Sequence, residues 1–208
     1  MDFMSLYFEL RNAVPASGKA LPAGFLHREI LVPAMPALRR ELEPLARHAT
    51  PGPAPEEDRW SLYALSRVSD FLLLAFQAPE SPGAAKGLSG AAGAVGDAPA
   101  AHPQITLSPE EYLAFFEALG FRPFGRRGEP FVPFFHEVVA VRSDSVCPQP
   151  VVEEVVWPGM MFGQLLFSRA GAVVRSRPDD LDPRIAAGST LYFTFRRAAR
   201  PTSDFSRG

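Results

Sequence analysis

The sequence predicts an α+β fold, with a helical N-terminal part followed by a small, mostly antiparallel β domain. Apolar residues recur at helical spacing between residues 35 and 75, and residues 108–120 carry signals for both ends of a helix. From residue 121 onward, short β-branched or aromatic runs alternate with turn residues. An apolar content of 47% is sufficient for a sizeable core.

The chain is expected to be organised in three parts along its 208 residues. Residues 1–78 form a helical N-terminal region. Residues 79–104 are rich in Ala, Gly and Pro without periodicity, which predicts a flexible linker. Residues 105–208 contain a helix, the β domain and a C-terminal extension.

The first helices are interrupted by proline. Residues 1–26 are ambiguous: the run FMSLYFEL from Phe3 fits either a short helix or a strand, and prolines and glycines then break the chain. Because proline inside a helix costs about 3 kcal/mol, we expect the next helix to be short and to begin near Pro36. Its apolar face would comprise Met35, Leu38, Leu42 and Leu45.

The run that begins at Glu56 gives the strongest helical pattern in the N-terminal region. Acidic residues at its start suit the helix dipole. The apolar residues predicted to share one face are Trp60, Ala64, Val68, Phe71, Leu72 and Ala75.

A further helix is predicted after Ser108. Ser108 and Glu111 have the spacing of a capping box, Pro109 stands at the first helical position, and Gly120 follows the last turn.

Four later runs predict strands, bounded by Pro, Gly and Asp. They are HEVVAV from His136, VVEEVVW from Val151, QLLFSRAGAVVR from Gln164 and STLYFTFRR from Ser189.

Composition argues against several classes of function. A net charge of −2 and a pI near 6.1 do not favour nucleic acid binding. One cysteine, Cys147, rules out an internal disulfide or a CxxC metal site. The longest apolar run is too short for a membrane span, and the N-terminus lacks the pattern of a secretory signal, so we expect a cytoplasmic protein.

His136 and Glu137 are the residues that most suggest catalysis or metal binding. Adjacent residues on a regular strand point to opposite faces, so they cannot grip one atom together. We therefore expect His136 to be a partly buried strand residue and Glu137 to face solvent. No catalytic, cofactor-binding or metal-binding residue is predicted, and the chain is expected not to be an enzyme.

Residues 109–175 resemble the GrpE family, the nucleotide exchange factors of bacterial Hsp70. The similarity lies in the order and spacing of a helix ending in Leu–Gly, a Gly–Glu–x–Phe–x–Pro–x–x–His–Glu–x–Val segment, and two glycines four residues apart before a final strand. The residues that carry it as a structural motif are Gly128, Phe131, Pro133, His136, Glu137, Gly159 and Gly163.

The resemblance implies a GrpE-like β head that binds an Hsp70-like chaperone and promotes nucleotide release without covalent chemistry. It allows a homodimer, although the proline-broken N-terminal half cannot form the family's long helical stalk. The basic residue by which the family typically contacts Hsp70 corresponds to Leu165, and the family's usual Asp after the signature Phe corresponds to Val132.

The partner-binding surface is expected beside the Pro–Gly turn at residues 158–159, because Trp and Met are enriched at interface cores. Strand alternation would place about half of its residues in the β core instead. The predicted surface consists of Val156, Trp157, Met160, Met161 and Leu165. The alternative function is that of a non-enzymatic structural or adaptor component of a larger assembly, with a degenerate GrpE-like head.

Overall fold

The computed structural model describes residues 1–15, 20–47, 56–76 and 105–182. Helices occupy the N-terminal part of these residues and two small sheets the C-terminal part, which confirms the α+β fold. The predicted linker at residues 79–104 and the predicted strand at residues 189–197 lie outside the described residues.

The ambiguous N-terminal segment is a helix, α1 (Phe3–Ala13). Asp2 caps it, since its side chain accepts a hydrogen bond from the Ser5 amide at 2.7 Å. Phe3, Leu6 and Leu10 recur at three- and four-residue spacing and are fully buried. The helical spacing of these three buried side chains therefore favours a helix over a strand in this segment.

The prediction that the second helix begins near Pro36 is wrong. A π-helical turn, Leu26–Leu31, continues directly into α2 (Val32–Arg47), which contains Pro36 and Pro44. Each internal proline costs about 3 kcal/mol. Burial of a leucine contributes about 1.5–3 kcal/mol, and a buried stripe offsets the prolines: Leu26, Ile30, Leu31, Ala34, Leu38, Leu42 and Leu45.

The helix predicted from Glu56 is confirmed as α3 (Glu56–Leu72), and a 3₁₀ turn follows it at Leu73–Phe76. Its buried face differs from the prediction. Trp60 is 61% exposed, and Phe71 and Ala75 are only partly buried, whereas the core takes Ala64, Leu65, Val68, Leu72 and Leu73. The buried stripe begins at Ala64, one turn after Trp60, so the indole is left at the surface.

The predicted capping box is confirmed in α4 (Pro109–Ala118). The Glu111 amide donates to Ser108 Oγ at 3.2 Å, and the Ser108 amide donates to Glu111 Oε2 at 2.9 Å. Gly120 follows the helix with a positive φ of 90°, a conformation that glycine adopts without the steric penalty of a Cβ.

The strands form two three-stranded sheets. The first sheet has the order β1-β4-β5 and the second the order β2-β6-β3. β2 and β6 run parallel, and the other pairs are antiparallel. The bounds are β1 Arg122–Phe124, β2 His136–Ser143, β3 Val151–Trp157, β4 Gly159–Phe162, β5 Leu165–Ser168 and β6 Ala170–Ser176.

The first sheet and the helices share one core. Met160 and Phe162 of the first sheet, together with Trp157 at the end of β3, belong to the same buried cluster as α1, α2, α3 and α4. A smaller cluster in the second sheet is formed by Val152, Ala172 and Val174. The helical region and the β head are thus successive along the chain, but they are not separated into two independent cores.

Within the described residues, no helix combines the length and the apolarity that crossing a bilayer requires.

Candidate functional site

The loop between β1 and β2, residues 125–135, is tied to β3 by main-chain hydrogen bonds. The Gly128 amide donates to Val152 O at 2.7 Å, and the Val152 amide donates to Glu129 O at 2.9 Å. The Phe131 amide donates to Pro150 O at 2.9 Å. These bonds extend the pairing of β3 into the loop and give it a defined path.

Positive φ angles at Gly125 (104°) and Gly128 (88°) allow the chain to turn at the start of this loop. Between them, the Arg126 amide donates to Glu129 Oε1 at 2.8 Å. This carboxylate is therefore held facing the interior of the turn.

His136 joins the two ends of the loop. Its Nδ1 lies 3.0 Å from the Val132 amide, and its Nε2 lies 2.9 Å from Glu129 Oε1. The ring stacks on Phe131 with a centroid separation of 5.9 Å, and the residue is only 3% exposed. Both ring nitrogens are used in structural hydrogen bonds, so His136 acts here as a positioning residue for the loop.

Glu137 does not face solvent, contrary to prediction. It is 1% exposed and pairs with Gly171 on the parallel strand β6. β6 is buried along almost its whole length. The adjoining start of β2 is thereby covered on both faces, and alternation along the strand no longer separates a buried side from an exposed one.

Cys147 lies in the connection between β2 and β3, where its amide donates to Asp144 O at 3.2 Å. The buried thiol is 3.0 Å from Gln149 O and 3.6 Å from Arg175 O. In the part of the chain that the structure describes, no cluster of three or more His, Cys, Asp or Glu side chains could hold a metal ion.

Exposed apolar side chains converge on the outer side of the same loop. Phe134 is 59% exposed and Phe135 is 39% exposed. Their rings meet edge to face with a centroid separation of 5.0 Å. The rings of Phe135 and Phe124, which belongs to β1, have a centroid separation of 5.7 Å. With the exposed Val132, these residues form what we call the aromatic patch: Phe124, Val132, Phe134 and Phe135.

The backbone beneath the aromatic patch is fixed. Arg169 Nε donates to Phe134 O at 2.7 Å, and the Ala170 amide donates to Phe135 O at 3.0 Å. The amides of Phe135 and His136 both donate to Val132 O at 2.9 Å. The loop thus presents its phenylalanines outward, and its backbone is fixed by hydrogen bonds from Arg169 and Ala170 and by hydrogen bonds within the loop itself.

This patch was not predicted from the sequence, because the partner-binding surface was expected beside the Pro–Gly turn at residues 158–159. The available signal was local. Phe134 and Phe135 directly follow Pro133 in a segment bounded by Pro130 and by the start of β2. Adjacent residues in an extended segment point to opposite sides, which predicts that at least one of these two rings faces away from the core.

The predicted partner-binding surface is only partly available. Trp157 and Met160 are buried and belong to the core, which removes them from any docking surface. Trp157 lies over Gly171 and donates from Nε1 to Arg169 O at 3.2 Å. Val156 and Met161 are half-buried; binding at these positions stays a prediction.

Leu165 is 43% exposed at the start of β5. It pairs with Phe162 across the two-residue turn at Gly163, whose φ is 58°. β1 aligns Phe124 with Gly159 at one end of β4, whereas Leu165 lies opposite Phe162 at the other end. The structure therefore does not bring Leu165 and Phe124 together.

The predicted structural motif has an identifiable role at most of its positions. Gly128 and Gly163 supply positive φ angles at turns, and Phe131 packs against the second-sheet core. A Cβ on Gly159 would lie 2.2 Å from the Phe124 ring. Pro133 lies within the loop that His136 closes.

Comparison with known proteins returned no matching family model, no matching curated protein and no matching solved structure.

Proposed function

We propose that this chain is a GrpE-like protein-binding module, without enzymatic activity, that acts as a nucleotide exchange factor or co-chaperone on an Hsp70-like partner. The aromatic patch is its principal contact surface. The observation that carries this proposal is the exposure of Phe134 and Phe135 on a backbone that is hydrogen-bonded on both sides.

The chemistry of the patch favours a protein partner. Aromatic side chains dominate the residues on which binding free energy depends, particularly where they can fill a desolvated pocket. Because Phe134 and Phe135 are already placed by the Arg169 and Ala170 hydrogen bonds, little conformational freedom of the loop backbone has to be lost on binding.

The arrangement of His136 supports a role without covalent chemistry. A general base needs a free nitrogen within reach of the proton that it removes. Nδ1 faces the Val132 amide and Nε2 faces Glu129. Both nitrogens are therefore engaged on the inner side of the loop, away from the exposed phenylalanines.

An exchange factor works by differential affinity. It must bind the open, nucleotide-free form of its partner more tightly than the closed form, and it shifts the equilibrium by no more than that difference. A hundredfold preference corresponds to about 2.7 kcal/mol.

The test uses the full chain and the Hsp70 of its own organism. Release of a fluorescent ADP analogue is followed by stopped flow after addition of the chain, and binding to nucleotide-free and ATP-bound Hsp70 is measured by calorimetry. The proposal predicts faster release and tighter binding to the nucleotide-free form. Equal affinity for both forms, with an unchanged release rate, would refute exchange.

A second function is favoured by Leu165. The family's basic contact residue is replaced here by an exposed aliphatic side chain, and the helices share a core with the head. Both features fit an adaptor in a larger assembly that uses an apolar surface. Restoring the charge with Leu165→Arg distinguishes the two functions. The substitution should strengthen Hsp70 binding if the chain is an exchange factor, and it should weaken assembly with other proteins if the chain is an adaptor.

A further inference from the structure

The hydrogen bonds of His136 determine the protonation state that the loop requires. The Val132 amide can only donate, so Nδ1 of His136, at 3.0 Å, must accept. The ring proton is consequently on Nε2, where it is donated to Glu129 Oε1 at 2.9 Å. The closed loop therefore contains a neutral imidazole with its proton on Nε2.

A second proton would create a conflict at Nδ1. Both nitrogens of an imidazolium are donors, so Nδ1–H and the Val132 N–H would face each other. Flipping the ring does not relieve this conflict, because both nitrogens of the imidazolium would direct a proton at the Val132 amide. At the other side, attraction between the imidazolium and the Glu129 carboxylate becomes stronger. The ring therefore stays with Glu129, and the Val132 contact breaks.

We propose that His136 is a proton-sensitive latch for the aromatic patch: when the ring gains a second proton, the contact with the Val132 amide breaks and the loop that presents Phe134 and Phe135 loosens. Val132 is the point of release because its carbonyl also accepts from the amides of Phe135 and His136. Its displacement therefore reaches the phenylalanines directly. The conclusion that the latch regulates partner binding rests on the proposed function. The effect of protonation on the free loop does not.

Three charged side chains of the described residues lie on or beside the elements that hold the latch: Glu129, Glu137 and Arg169. Glu129 contacts the ring, and its carboxylate also accepts from the Arg126 amide. Glu137 follows His136 on β2, and Arg169 precedes β6 and donates to Phe134 O. The Glu129 carboxylate is in direct contact with the imidazole, so it contributes to how strongly the protonated ring is held.

The test is made on the isolated full chain by nuclear magnetic resonance between pH 8 and pH 5. Ring ¹H–¹⁵N correlations should show the Nε2–H tautomer at pH 8. As the ring gains its second proton, the Val132 amide should shift, and its protection from hydrogen exchange should fall roughly threefold to tenfold, as expected for one lost hydrogen bond. The opposite tautomer, or a ring that titrates without a change at Val132, overturns the latch. The latch is also overturned if the His136 ring does not gain a second proton between pH 8 and pH 5.

Two variants separate the latch from a general effect of acid. In His136→Asn, the side-chain oxygen can accept from the Val132 amide but does not titrate, so the acid-induced change at Val132 should disappear. In Glu129→Gln, the change should occur at lower pH, because the imidazolium loses its counter-charge. If His136→Asn retains the wild-type response, the latch is refuted. Hsp70 binding is measured in a separate experiment, so that failure of the proposed function and failure of the latch can be distinguished.

Discussion

The Nε2 atom of His136 lies 2.9 Å from Oε1 of Glu129, seven residues earlier in the chain. This pairing replaces the one that the sequence suggests, in which His136 acts together with its neighbour Glu137. Because Glu129 belongs to the loop before β2, the contact closes that loop and gives its outer face a fixed shape. A residue pair that resembles a catalytic dyad thereby positions an exposed aromatic surface.

Truncating His136 should destabilise the protein. His136→Ala removes both hydrogen bonds, leaves the Val132 amide unsatisfied and opens a cavity against Phe131, which together should lower the free energy of unfolding by about 2–4 kcal/mol. Urea denaturation followed by circular dichroism measures this. His136→Asn is the matched control and should lose less than His136→Ala, because it can keep the Val132 contact; equal losses would show that this contact contributes nothing.

Gly171 is expected to tolerate no side chain. A Cβ there would lie 2.2 Å from Cε2 of Trp157, a buried ring that cannot move aside freely. Gly171→Ala should therefore lower the free energy of unfolding by about 3 kcal/mol or more. At Gly120, where φ is 90° and nothing lies within 4 Å of the added Cβ, alanine carries only the backbone penalty of about 1–2 kcal/mol. Similar losses at both sites would contradict this packing.

Glu41 should make the protein less stable as pH rises. Burial raises the pKa of the Glu41 carboxyl above its ordinary value, and hydrogen bonds from Ser61 and from the Phe3 amide only partly counteract it. The folded state then binds more protons than the unfolded state, so this contribution is present at low pH and is lost as pH rises through the raised pKa. Glu41→Gln should gain stability over the wild type between pH 4 and pH 7, measured by thermal unfolding.

Glu110 is the control for Glu41, because its pKa is shifted in the opposite direction. Hydrogen bonding to its own backbone amide, and then to Ser108, lowers the pKa of its carboxyl. Its contribution to stability is therefore present above the unfolded-state pKa and is lost as pH falls. Glu110→Gln should lose stability relative to the wild type as pH rises over the same range. A trend of the same sign in both variants would refute the assignment.

Local signals were sufficient for α4. Ser108, Pro109, Glu111 and Gly120 lie within thirteen residues of one another, and each acts on its neighbouring backbone. The capping box and the helix end could therefore be predicted without knowledge of the rest of the fold. The run from Glu56 was predictable for a related reason, since its buried stripe extends over several turns.

The remaining features depend on contacts that are distant in sequence. α2 persists through Pro36 because its leucines are buried against other helices, and Trp60 is exposed because the buried stripe of α3 begins only one turn later, at Ala64. Trp157 is buried because Gly171 on β6 leaves room for its ring. The loop that carries the aromatic patch is held by the Arg169–Phe134 hydrogen bond, which joins residues 35 positions apart, and periodicity does not report such a contact.

The central claim is that the aromatic patch is the docking surface, and the affinity of paired variants for nucleotide-free Hsp70 tests it most directly. Phe134→Ser with Phe135→Ser removes the exposed rings, while Trp60→Ser with Tyr63→Ser removes two exposed aromatic residues of α3. Because aromatic anchors contribute about 2 kcal/mol or more, we predict that the loop variant binds roughly 30-fold or more weakly, while the α3 variant stays within about twofold of the wild type. Wild-type affinity in the loop variant, with its fold intact by circular dichroism, would contradict the account.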